Sequence, residues 1–251
     1  MHHVMSQTAE LLAAFEGHRP DEIRGLLAAG VDPRRRIKGK LPIDCLIGMY
    51  LRSPAFEECL RVLLDAGATI SNPALQAVLL DDAGALRRLL TANAALATGK
   101  LNMPCAFTPL RGASLLHVCA EYNRVKCARV LLRAGADVNR RASVDREGLG
   151  GHTPLFHTVN SHHNFAKPMM ELLAENGANL TIRLKGLVWG DGFAWETVLY
   201  DVTPISYTQF GLLRQFQRSE AEIYSNIACL CERRDNVAPM IRNVPNRYLQ
   251  G

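Results

Sequence analysis

The chain has 251 residues, 48% apolar and 21% charged, with a mean hydropathy of -0.02 and a net charge of +5. That composition can bury a sizeable core, as one large domain or two small ones, and it excludes a disordered chain. No apolar run is long enough to span a membrane, the positive excess is too small to single out nucleic acid, and 6% aromatics beside abundant Leu and Ala favour helices over a β-sandwich.

The start, Met1-His2-His3-Val4-Met5, lacks the apolar stretch of a secretory signal. The seven cysteines are odd in number and have no paired spacing, so they read as reduced thiols. Both features point to a cytoplasmic protein, with export by a route that needs no N-terminal signal left open.

Along the chain, one pattern recurs. Ile23, Leu26 and Leu27 stand seven, four and three residues before Gly30. The same offsets hold Leu60, Leu63 and Leu64 before Gly67, Leu86, Leu89 and Leu90 before Asn93, Ala128, Leu131 and Leu132 before Gly135, and Met170, Leu173 and Ala174 before Gly177. These offsets lie on one face of an α-helix. The terminal glycine supplies the left-handed residue that ends it, and Asn93 is expected to take the same conformation.

Each copy has an upstream partner whose helical start is read at Leu41-Pro42-Ile43, Asn72-Pro73-Ala74, Ser114-Leu115-Leu116-His117, Thr153-Pro154-Leu155 and, more loosely, Thr197-Val198-Leu199. Ser, Thr or Asn caps a first turn and Pro suits its first position. Pro73 to Leu89 and Leu115 to Leu131 are both 16 residues, as one structural unit used twice requires. The reading divides the chain into an N-terminal capping unit (6–38), units 39–70, 71–98, 113–147 and 148–190, a degenerate closing unit (195–234) with Ile223, Ile227 and Leu230 on its last helix, and an extended tail (235–251) containing Pro239 and Pro245.

Ser114-Leu115-Leu116-His117-Val118-Cys119-Ala120, followed by Ala128-Arg129-Val130-Leu131-Leu132-Arg133-Ala134-Gly135-Ala136-Asp137-Val138-Asn139, resembles the ankyrin-repeat family. Gly67 to Gly135 spans 68 residues, two units of the family's ~33-residue period. The resemblance implies an all-α, helix-turn-helix repeat solenoid of about five to six irregular units in a single domain, carrying long finger loops. It also implies a non-catalytic protein-interaction module whose partner meets the fingers and the exposed side of the first helices.

The residues themselves offer little chemistry. His152, His157, His162 and His163 crowd together, but their spacing is poor for ligands on one helical face, and solvent-facing or locally hydrogen-bonded histidines are expected. Cys229 and Cys231, two apart on a helix, do not face each other. Cys119 reads as packing in a tight helix contact. Gly148, Gly150 and Gly151 read as a finger turn, since no strand precedes a phosphate-binding loop there. No catalytic residue, metal site or cofactor is expected.

The fingers are the candidate surface. Segment 31–41 sets Arg34, Arg35, Arg36, Lys38 and Lys40 against Asp32, for a net +4. Segment 99–112 adds Lys100 and Arg111, segment 180–192 has Arg183 and Lys185 against Asp191, and segment 137–152 balances Arg140, Arg141 and Arg146 with three carboxylates. Positive charge so concentrated predicts a protein partner with an acidic surface, which arginine forks would grip. Trp189 and Trp195, with Phe193 between them, are candidate contacts if exposed and core if the segment around Ile182, Leu184, Leu187 and Val188 folds back as a small hairpin. The alternative functions are nucleic-acid binding through the basic fingers, and an enzyme or metal site built on the insertions. The first lacks a recognition helix and interleaved aromatics, and the second has only the histidines as raw material.

Overall fold

The computed structural model describes residues 2–237. Helices α1 (His2–Glu16), α2 (Pro20–Ala28), α3 (Pro42–Ile47), α4 (Phe56–Asp65), α5 (Pro73–Leu79) and α6 (Ala83–Ala92) precede a two-stranded sheet, β1 (Leu101–Met103) and β2 (Leu110–Ala113). Then follow α7 (Leu115–Tyr122), α8 (Val125–Arg133) and α9 (Lys167–Glu175), a second sheet of β3 (Leu184–Trp189) and β4 (Thr197–Val202), and finally α10 (Pro204–Phe210) and α11 (Glu220–Asp235). Among the described residues, no helix is long and apolar enough to cross a membrane. Beyond Val237, the expected tail lies outside the described residues.

The helices pack in consecutive pairs: α1 on α2, α3 on α4, α5 on α6, α7 on α8 and α10 on α11. Neighbouring pairs then meet through α2 and α4, α5 and α7, and α8 and α9, and the buried side chains form one core running through them. Four second helices end alike. After α2, α4, α8 and α9, Gly30, Gly67, Gly135 and Gly177 take φ values of 93, 93, 84 and 83°. The N–H of the next residue reaches back to the carbonyl of Leu26, Leu63, Leu131 or Leu173, which closes the helix end in the Schellman manner. Leu63, Leu131 and Leu173 also bury their side chains completely, so in these three helices one leucine both fills the core and accepts the closing bond.

Three expectations about elements need correction. Asn93 is extended (φ -150°, ψ 92°), not left-handed, because its side chain caps a following 3-10 turn by accepting from the Ala95 N–H at 3.1 Å. Thr153-Pro154 opens only a 3-10 turn (Pro154–His157). Thr197-Val198-Leu199 begins β4, and the helix starts at Pro204, capped by Thr203. Along β4, Leu199 and Val202 are buried while Val198, Tyr200 and Asp201 are exposed, and the ladder to β3, from Val188 opposite Val198 to Leu184 opposite Val202, holds the segment as a strand.

The two sheets also correct the all-α expectation. Both are antiparallel hairpins inserted between helix pairs, β1 with β2 and β3 with β4, the latter in register from Leu184 opposite Val202 to Trp189 opposite Thr197. The hairpin read at Ile182–Val188 is thus present, and it holds Trp189 in the core.

Local capping is clearest at α5. Asn72 Oδ1 accepts from the N–H groups of Ala74 (3.0 Å) and Leu75 (3.1 Å), and Pro73 fills the first helical position. Asn72→Ala is expected to lower stability by about 1 kcal/mol in chemical denaturation, the usual cost of a lost N-cap. An unchanged midpoint would count against these two bonds.

Candidate partner-binding surface

The later fingers are bonded into one another. The Ser143 N–H donates to Arg111 O (2.9 Å), the Gly150 N–H to Gly186 O (2.9 Å), and Asn139 Nδ2 to Gly177 O (3.0 Å). Gly112, at φ 58°, makes the first contact possible, because a Cβ there would lie 1.8 Å from Ser143 Oγ.

This bonding decides which cations are free. Arg111 and Arg183 each pair with a carboxylate of the same chain, Asp191 and Asp201. Arg141 Nε donates to Gly151 O (2.8 Å), and Lys185 Nζ to Glu147 O (2.6 Å). Arg140 is half-buried, Trp189 is buried and Trp195 half-buried. The first finger differs. Arg34, Arg35, Arg36, Lys38 and Lys40 are all exposed. Among the described residues its only ion-paired cation is Arg34, which meets Asp32 at 3.3 Å, and Arg36 Nη1 closes the loop on Gly39 O (2.7 Å). The twelve candidates are therefore not one site, and the five on the first finger form a dense exposed cluster.

The histidines fall into two groups. His162 and His163 are exposed. Of the two readings given for them, solvent-facing or locally hydrogen-bonded, His152 and His157 do not take the first: they are buried together with His117, with ring centroids 5.1–5.9 Å apart. His117 Nδ1 accepts from the Ser114 N–H (3.0 Å), and its Nε2 donates to His152 O (3.2 Å). His152 Nε2 donates to Pro109 O (2.8 Å). The rings are inside because they tie the start of α7 to the finger and turn of the next unit. Among the described residues, no group of three or more His, Cys, Asp or Glu side chains is placed to hold a metal ion.

A buried charge chain lies beside them. Arg52 Nε donates to Glu121 Oε1 (2.9 Å), and His157 Nδ1 donates to Glu121 Oε2 (2.9 Å), with Arg52 and Glu121 side chains 7% and 4% exposed. Burial pushes the Glu121 carboxyl up, but the Arg52 guanidinium and the His157 ring outweigh it and hold the group below the usual carboxylate range. The Arg52 cation also sits 4.5 Å from the Tyr122 ring centroid. Neither Arg52 nor Glu121 was among the candidates from sequence. The available signal was Glu121 itself, a carboxylate inside the apolar run Leu115–Tyr122, all of which is buried.

The ankyrin repeat family model matches residues 111–143. The chain thus carries an ankyrin repeat there, over β2, α7, α8 and the start of the following finger, and ankyrin repeats generally mediate protein–protein interaction. No curated protein matches the chain.

Proposed function

We propose that the chain is a single ankyrin-repeat domain of about five to six irregular units, divided at the boundaries read from sequence, and that it acts as a non-catalytic interaction module: an adaptor, an inhibitor or an effector. Its contact is the first finger, and its partner is a protein with an acidic surface. The observation that carries this reading is the exposed cluster of Arg34, Arg35, Arg36, Lys38 and Lys40, against the single carboxylate of Asp32 in the same loop. The cations of the later fingers are largely engaged by their own chain and serve as its rim. All seven cysteines are free, which fits a reducing, cytoplasmic setting.

The test is quantitative capture from native lysate with the parent chain and with the triple variant Arg34→Glu, Arg35→Glu, Arg36→Glu. A specific protein partner is expected to bind at least about tenfold more weakly to the variant, and more weakly to the parent chain as salt rises. A partner retained equally by both chains would overturn the assignment of the first finger.

A further inference from the structure

A cleft of about 500 Å³ opens between segment 50–52, the turn after Thr153, the β3–β4 hairpin and segment 216–218. Its volume falls in the range of small-molecule sites. Aromatic rings form its walls. Trp189 stacks on Phe107 with centroids 5.9 Å apart and on Phe216 at 4.1 Å, and Trp195 lies 4.6 Å from Trp189. Gly190, at φ 74°, lets the hairpin set Trp195 there, because a Cβ would fall 2.1 Å from the indole ring.

The two cations of the cleft differ in their partners. Arg52 is neutralised by Glu121. Arg218 is not: its Nε donates to Asn160 O and its Nη1 to Phe216 O, both carbonyls, and among the described residues it forms no ion pair. Glu121 and Glu222 attract it only at longer range, and burial lowers its pKa from the ordinary value, the mark of a desolvated cation. Its Nη2 has no hydrogen-bond partner among the described residues, while its guanidinium stands 5.7 Å from the centroid of Phe107. One cation without a direct ion pair among the described residues thus sits at the edge of an aromatic wall. Its complement is a ligand with one negative charge and a flat apolar body.

We propose that this cleft binds a small aromatic carboxylic acid, its ring against Phe107, Trp189 and Trp195 and its carboxylate accepting from Arg218. A monoanion matches the single unpaired guanidinium, where a phosphate dianion would leave a buried charge unmatched. The inference is independent of the first finger, which lies outside the cleft.

The experiment uses the full chain with benzoate, 2-naphthoate and indole-3-acetate, each beside its primary amide, followed by saturation-transfer NMR and calorimetry. At least one acid is expected to bind one-to-one with Kd below about 1 mM and about tenfold more tightly than its amide. Binding should also perturb the fluorescence of Trp189 and Trp195, the only two tryptophans in the chain. Arg218→Gln is expected to abolish the preference for acid over amide, and Arg214→Gln, an exposed neighbour, to preserve it. Absence of binding by all three acids, equal affinity for acid and amide, or a preference that survives in a folded Arg218→Gln chain would each overturn the proposal. Should Arg218→Gln fail to fold, the acid–amide comparison on the parent chain decides it alone.

Discussion

Glu121→Ala is expected to destabilise the fold by about 3–5 kcal/mol, the cost of removing one partner from a buried ion pair. The loss does not come mainly from the vanished attraction. It comes from what stays behind, since the Arg52 guanidinium remains in a position where its side chain is only 7% exposed, and His157 Nδ1 loses its acceptor. The effect spreads because Arg52 lies in the loop before α4, Glu121 on α7 and His157 in the following turn. One carboxylate therefore joins three segments that are 69 and 36 residues apart along the chain. The double variant Arg52→Met, Glu121→Leu is expected to recover most of that loss, because an apolar pair of similar volume carries no stranded charge. Chemical denaturation of the three chains measures both effects. A single variant with the parent's midpoint would show that the pair is not buried as described.

Acid is expected to unfold the protein over an unusually high pH range. His18 and His117 are held to about 4 and about 3, in both cases first by burial, then by Arg52 and Arg124 for His18 and by His157 and Arg140 for His117. His152 is pushed well below the ordinary histidine value, again by burial first and then by its two neighbouring rings. All three are neutral in the folded state, whereas the unfolded chain takes up protons below about pH 6.5. The unfolded state then binds more protons, so stability falls with falling pH. The loss begins near pH 6.5 and continues until the folded values of about 4 and about 3 are reached. Each such histidine contributes up to about 1.4 kcal/mol per pH unit in that window. Glu121 adds to the loss lower down, because its depressed folded pKa gives stability that is present above the ordinary carboxylate value and disappears beneath it. Thermal melts from pH 7 to pH 4 measure the slope. A flat melting temperature between pH 6.5 and 4.5 would contradict the buried neutral state of these rings.

Much of the helical frame was legible because its cause is local. An apolar stripe at offsets of three and four, closed by glycine, produces the same helix end after α2, α4, α8 and α9, and the bonds to Leu26, Leu63, Leu131 and Leu173 are local in the chain. Asn72 and Pro73 likewise set the start of α5 within three residues. Asn93 escaped the pattern since its side chain had a competing use, as the cap of the next turn. Thr197–Val202 escaped it because a loosely helical start is outweighed by pairing with a strand eight or more residues upstream.

The candidate surface divides along the same line. That residues 31–41 are basic is a property of composition, and that the loop is exposed follows from the helix ends on either side of it. Whether Arg111, Arg183 and Lys185 are free depends on Asp191, Asp201 and the carbonyl of Glu147, the first and last of which lie 80 and 38 residues away. The sequence by itself determined the second helices closed by glycine, the starts of α3, α5 and α7, and the concentration of positive charge in the fingers, since each rests on residues close together in the chain. The tertiary structure alone decided the joining of Arg52 to Glu121 across 69 residues, the burial of His117, His152 and His157 against one another and the gathering of Trp189, Trp195, Phe107 and Arg218 around one cleft. Those placements arise when packed helix pairs and hairpins bring distant segments together and exclude water from between them, and no local spacing encodes them.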